Sequence, residues 1–210
     1  MTRLYLDLEG HNLSRNGTIS IMTILKYPSR VIGLIDVKTL GSSAFTTANL
    51  EGKTLKTLLE DPRTSKCVWD VRNDADALWA HYQIRLAGIT DMQLLENASR
   101  AGDKTYVRGL ATCVEKDLKL GFMDLHRWIK TKKEVTALMP GDTFGRRPLD
   151  DKTLQYCVND VIHLPALRDV YTKTIDSQWM QKVTDESARR VVEACGPAYQ
   201  PQSEAKKLGP

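Results

Sequence analysis

At the start of the chain apolar and polar positions alternate: Leu4, Leu6 and Leu8 fall on one side of an extended segment, Tyr5, Asp7 and Glu9 on the other. A period of two predicts a strand over 4–9 with one face buried. Two further strands are predicted over 19–25 and 30–37, separated by the turn residues Ser14, Asn16 and Gly17 and then by Tyr27, Pro28 and Ser29. Connections this short favour an antiparallel meander. The period then lengthens. Leu55, Leu58 and Leu59 share one side of a helix over 53–60 that Pro62 ends, and a β-rich run over 66–70 leads into a helix through Asp74, Leu78 and Tyr82. A short strand over 84–89 and helices over 92–100 and 105–116 follow. Residues 126–149, with Pro140, Gly141 and Pro148, are expected to be irregular. A helical stretch over 151–174 is interrupted near Pro165, and an amphipathic helix covers 179–195. After Gly196 come Pro197, Pro201 and Pro210 with few large apolar residues, so 196–210 is expected to be a surface or disordered tail. Three antiparallel strands followed by strand–helix alternation predict an α/β fold. Its mixed sheet, antiparallel in the first three strands and parallel thereafter, is flanked by helices and brings the ends of the first and fourth strands together.

A length of 210 residues suits one domain, and 41% hydrophobic with 27% charged residues is ordinary for a soluble protein. No apolar run approaches the roughly 18 residues that cross a bilayer, and the N-terminus reads as a strand rather than a secretion signal. The expectation is an intracellular protein of cytoplasm or nucleus, with no membrane association. Cys67, Cys113, Cys157 and Cys195 include no pair at zinc-ligand spacing; Cys67 and Cys157 read as reduced core residues. The net charge of +4 is modest, but its placement is not even. From His126 to Arg147 six basic residues (Arg127, Lys130, Lys132, Lys133, Arg146, Arg147) face two acidic ones, Glu134 and Asp142, an excess equal to the surplus of the whole chain.

Four carboxylates carry the candidate chemistry. Asp7 and Glu9 share a strand face ahead of Gly10, which frees the backbone to turn or to approach a neighbour closely. Asp74 lies one turn into its predicted helix with Leu78 four residues on. In that segment Asp70 suits the helix N-cap, and Asp76 is expected to be solvated. Tyr156 and Asp160 are at i and i+4 on one helical face, flanked by Leu154, Val158 and Val161, so the pair is expected to be at least half buried. His163 follows and is left outside the core set. Each motif alone also fits a structural role: a solvated strand face, a helix cap, a Tyr–Asp hydrogen bond. If the fold brings the carboxylates together, no lysine within the same short motifs relieves their repulsion, and like charges at close range must bind protons or a cation. An all-oxygen cluster suits magnesium or manganese.

Asp7-x-Glu9, then Asp74 four residues before Leu78, then Tyr156-x-x-x-Asp160 match in order the three motifs of the DEDD exonuclease superfamily. The tyrosine places the resemblance in the DEDDy branch, similar to ribonuclease D and to the proofreading domains of family A DNA polymerases. Asp91-Met92-Gln93 resembles the Asp-Thr-Gln segment found after the second motif, and Arg147-Pro148-Leu149 the Arg-Pro-Leu before the third. The match spans roughly residues 3–175. Trp69, where relatives often carry histidine, and Met92, in place of threonine, depart from the pattern at positions that are not metal ligands there.

The resemblance implies a ribonuclease H-like fold and a 3′–5′ exonuclease domain over 1–195. It implies two divalent cations, Mg²⁺ or Mn²⁺, held by Asp7, Glu9, Asp74 and Asp160, with Tyr156 positioning the attacking water, and 5′-mononucleotides released from single-stranded RNA or DNA. His11, Asn12 and Leu13 after the first motif, Arg72 and Asn73 ahead of Asp74, and Lys132, Lys133 and Arg147 in the basic segment are the candidate substrate contacts. Trp128 and Phe144, also in that segment, are candidates to stack on bases. Two other readings are an exonuclease-fold adaptor that binds RNA without cutting and a metal hydrolase of small nucleotides. Inactive relatives usually lose a ligand, whereas all four acids and the tyrosine are present here.

Overall fold

A computed structural model of the chain describes residues 2–210. Five strands, β1 (Arg3–Glu9), β2 (Ile21–Tyr27), β3 (Val31–Ile35), β4 (Ser65–Val68) and β5 (Ile89–Asp91), form one sheet in the order β3-β2-β1-β4-β5. β1 pairs antiparallel with β2, and β2 with β3; β1 and β4 are parallel, as are β4 and β5. The mixed sheet expected from the sequence is therefore present, with β1 at its centre. Among the described residues ten helices surround it: α1 (Val37–Leu40), α2 (Ser43–Thr46), α3 (Leu55–Glu60), α4 (Val71–Tyr82), α5 (Met92–Ser99), α6 (Leu110–Asp117), α7 (Phe122–Thr136), α8 (Asp151–Ile162), α9 (Leu164–Tyr171) and α10 (Ser177–Cys195). A 3₁₀ turn, Glu204–Lys207, lies in the tail. Among the described residues no helix is long and apolar enough to cross a membrane.

The alternation in β1 divides the core. Leu4, Leu6 and Leu8 face a cluster with Met22, Val68, Ala75, Leu78, Val191 and Ala194, which α4 and α10 close. Tyr5 faces the other way, into a cluster with Leu25, Cys67, Leu95, Trp128, Val161 and Leu167. Asp7 and Glu9 continue the Tyr5 side toward α8, where Ile21, Phe144, Tyr156 and Cys157 pack together. Because β4 runs parallel to β1 and stops opposite Leu6, the chain leaving it enters α4 close to Asp7. Gly10 marks the end of β1: a Cβ there would lie 1.9 Å from the Thr18 carbonyl oxygen. Only glycine lets the returning loop close this tightly.

Several boundaries differ from the sequence expectation. The segment 126–149 is not irregular throughout, because α7 takes up its first part. Its buried stripe of Trp128 and Val135, with Leu125 and Ile129 partly covered, has helical spacing. The expected helix over 105–116 begins only at Leu110, since Tyr106 bridges to Leu208. The strand placed over 84–89 lies instead at Ile89–Asp91, meeting the expected range at Ile89 alone. Helices α1 and α2 had no counterpart in the pattern, being four residues each. The break near Pro165 holds: α8 ends at Ile162, and the proline lies in the first turn of α9.

Candidate active site

Asp7 and Glu9 leave β1 on the same face and meet Asp160 of α8. One carboxylate oxygen from each lies within 4.8 Å of the others. Asp7 Oδ2 is buried and has no hydrogen-bond partner. The Asp7 carboxyl is pushed up to about 8, first by burial and then by the Asp160 charge. Glu9 is raised well above the ordinary carboxylate range by burial, then by Asp7 and Asp160. Asp74, from the first turn of α4, stands outside the tight trio, yet its carboxyl is also raised well above its ordinary range. Burial is the main cause, followed by the charges of Asp7, Asp70 and Asp91. The structure thus brings Asp7, Glu9 and Asp160 together, with Asp74 at the margin.

Tyr156 lies on the same face of α8 as Asp160 and is itself buried. Its hydroxyl is driven far above its ordinary value by burial and then by the Asp160, Glu9 and Asp7 charges. In the metal-free protein it is a neutral hydrogen-bonding group. The Phe144 ring packs on it, with centroids 5.7 Å apart.

The site does contain a cation. Lys132, 28 residues ahead of Asp160, reaches in from α7 and pairs with Asp160 Oδ1. Its Nζ also lies 4.4 Å from the centre of the Tyr156 ring. The short motifs hold no such lysine, as the sequence indicates, but a separate helix supplies one. Lys132 opposes the upward pressure on both Asp7 and Glu9. α7 is docked by its buried stripe and by Trp128 Nε1–H, which donates to the Asn159 carbonyl at 3.2 Å.

Other residues sit differently from expectation. Asp70 is not a side-chain cap: it adopts a left-handed conformation at φ 58°, and its carboxylate accepts from Arg72 Nε at 2.6 Å and Nη2 at 2.9 Å. The open N–H groups of Asp70 and Val71 are taken instead by the buried Asp91, which also pairs with Arg190 at 2.8 Å. Asp76 is not solvated. It is fully buried and accepts from the Arg15 backbone N–H at 2.7 Å and Nε at 2.6 Å. No local signal marks that contact, which spans 61 residues.

Of the candidate substrate contacts, His11 is half-exposed and Asn12 exposed on the loop after β1, while Leu13 packs against the core. Lys133 is exposed on α7. Arg72 is committed to Asp70, Gln93 and the Lys206 carbonyl, and Asn73 Oδ1 accepts from Tyr199 and Lys206. Arg147 pairs with Asp36 and donates to the carbonyls of Phe144 and Ser20. These three side chains are engaged by contacts within the protein. Trp128 and Phe144 are both buried, so neither ring is available to stack on a base.

An all-oxygen trio with an orphaned buried oxygen and carboxyls held above their ordinary range fits a hard divalent cation. A second group, Glu96, Cys113 and Asp117, is also close together. There Arg100 and Arg108 already pair with Glu96, at 2.8 and 3.3 Å.

Comparison with known proteins assigns the family of this mixed sheet and its acids. The chain belongs to the 3′-5′ exonuclease family, whose model matches residues 1–176. No curated protein matches it in sequence. Its fold is that of Trypanosoma brucei RNase D in complex with GMP: TM-score 0.78, 20% identity, 99% of this chain and 62% of that one. Brucella melitensis NrnC with bound Mg²⁺ superposes with TM-score 0.59, 16% identity, 92% of this chain and 81% of the other. Escherichia coli RNase D gives 0.62, 19%, 92% and 45%. The chain thus spans about three-fifths of the length of the trypanosomal RNase D. At these identities the likeness is one of fold.

Proposed function

We propose that the protein is a metal-dependent 3′–5′ exonuclease that removes 5′-mononucleotides from single-stranded nucleic acid. The observation that carries this reading is the convergence of Asp7, Glu9 and Asp160, with an unpartnered Asp7 oxygen, beside a neutral Tyr156 and a lysine. Asp7, Glu9 and Asp160 would hold two divalent cations, magnesium or manganese, with Asp74 completing the set. When bound, such ions activate water and offset charge on the entering and leaving oxygens of an in-line displacement.

The remaining work falls to the chain's own groups. Tyr156, buried beside the carboxylates with its hydroxyl raised far above its ordinary value, holds the attacking water in line by hydrogen bonding. Lys132 places positive charge beside Asp160, where the non-bridging oxygens of the reacting phosphate come to lie. Lys130 and Lys133, exposed on α7, attract the phosphates upstream without regard to sequence. His11 and Asn12, on the loop after Glu9, border the terminal nucleotide.

Among proteins of this fold, T. brucei RNase D has been captured with RNA U12 and B. melitensis NrnC with pGG. Both are consistent with a short single-stranded ligand here. The test is a time course on 5′-labelled single-stranded RNA, DNA and a dinucleotide, with magnesium, manganese or chelator. A descending ladder that needs metal and disappears in Asp7→Ala is expected. A metal-independent ladder, or a folded wild-type protein that binds oligonucleotide and never cuts it, would refute the reading; the second result would favour a non-cutting adaptor. Cleavage confined to the dinucleotide would point to a hydrolase of small nucleotides.

A further inference from the structure

The stretch from Gly196 to Gly209 does not trail away from the domain. It is fastened to both arms that carry the acids. Arg15, on the loop after Glu9, donates to the carbonyls of Ala194 at 2.9 Å, Gly196 at 2.7 Å and Pro197 at 3.4 Å. The same side chain holds Asp76 of α4 and lies 5.8 Å from the centre of the Tyr199 ring. Further along, the Tyr199 hydroxyl and Lys206 Nζ both donate to Asn73 Oδ1, each at 2.6 Å. Lys206 Nζ also donates to the Pro201 carbonyl at 3.2 Å, and the Lys206 carbonyl accepts from Arg72 at 2.9 Å. The far end is stitched to the segment before α6: Val107 N–H donates to the Lys207 carbonyl at 3.0 Å, and Gly209 N–H to the Thr105 carbonyl at 2.8 Å.

Asn73 directly precedes Asp74. The first turn of α4 lacks the side-chain cap that usually anchors a helix start, because the Asp70 carboxylate is turned to Arg72. Asp91 holds the backbone of that turn, and the strap holds its side chains. An amide oxygen that accepts from two donors is fixed in its rotamer, and so is the backbone beside it. The cavity of about 590 Å³ between strap and α10 offers no competing explanation as an anion site. Its cations, Arg72, Arg189, Arg190 and Lys206, are already committed: Arg72 to Asp70, Arg189 to Glu186 and Glu193, Arg190 to Asp91, and Lys206 to Asn73.

We infer that Tyr199 and Lys206 are positioning residues for the reaction, holding Asn73 so that Asp74 faces Asp7 across the cation site. The inference rests on the proposed metal-dependent reading and extends the working site to the 196–209 strap. A carboxylate displaced by about 1 Å can cost on the order of a hundredfold in rate, so a tether of two hydrogen bonds is mechanistically sufficient.

The test uses the full chain with Tyr199→Phe, Lys206→Met and the double substitution. Manganese affinity is measured by calorimetry, turnover on a labelled oligonucleotide by steady-state kinetics, and folding by thermal melting. The double variant should melt cooperatively, bind manganese roughly tenfold more weakly and lose about tenfold in kcat with KM within about twofold. Leu208→Ala, whose exposed side chain lies at the far end of the strap, should leave all three readouts in place. A folded double variant with wild-type manganese affinity and kcat would overturn the inference. If the double variant does not fold, Tyr199→Phe, which removes one oxygen, takes its place: weaker manganese binding and slower turnover support the inference, and wild-type values of both overturn it. Wild-type protein that takes up no manganese would instead overturn the functional reading, and this inference with it.

Discussion

Asparagine in place of Asp7 should make the metal-free protein progressively more stable than wild type as pH rises. In the folded chain the Asp7 carboxyl titrates at about 8 against an ordinary 3.8, because burial and the Asp160 charge both disfavour its anion. Between those values the folded protein keeps a proton that the unfolded chain has released. Stability therefore falls as pH rises through this window and levels off above it. At about 1.4 kcal/mol per pH unit, the step from pH 5 to pH 7 removes on the order of 3 kcal/mol, or about 6–12 °C of melting temperature for a chain of this size. Glu9 and Asp74 are shifted in the same direction, and the variant keeps part of their contribution. His163 is lowered, chiefly by burial, and so favours the fold as pH rises across the same range. The difference between wild type and Asp7→Asn cancels that effect. Thermal melts in chelator from pH 5 to pH 7 should show the two curves diverging by this amount. Manganese at pH 8 should then restore wild type but not the variant. Parallel curves over the whole range would refute the reasoning.

Tyr156→Phe should lower kcat by roughly tenfold to a hundredfold while manganese affinity stays unchanged, since the hydroxyl positions water and does not ligate; calorimetry beside single-turnover cleavage separates the two. Replacing Lys130 and Lys133 together with alanine should reduce the slope of log affinity against log salt by about two, one for each phosphate contact removed. Fluorescence anisotropy of a labelled oligonucleotide at several salt concentrations measures it. Trp128→Ala should cost about 3–5 kcal/mol in chemical denaturation, as a large buried ring must, and should also loosen Lys132 from Asp160.

Much of this architecture is readable from periodicity. The alternation through Leu4–Glu9 places both first-motif acids on one face, and the four-residue step from Tyr156 to Asp160 places the third motif, because both contacts are local. What escapes the pattern depends on partners far along the chain. Asp76 reads as solvated until Arg15 is found beside it, and Asp70 reads as a cap until Arg72 and Asp91 compete for the same turn. The helix α7 is legible in the spacing of Leu125, Trp128, Ile129 and Val135, but its density of lysine and arginine and the nearby Pro140–Gly141 point to a loop. The same bias casts Trp128 and Phe144 as base-stacking rings when both belong to the interior. The tail's prolines point to the surface, while its grip on Asn73 leaves no pattern in the sequence.

Lys132 gives the carboxylates an ammonium of their own. A polypeptide built this way carries part of the neutralising charge that its acids need, so chelator-treated protein is expected to remain assembled.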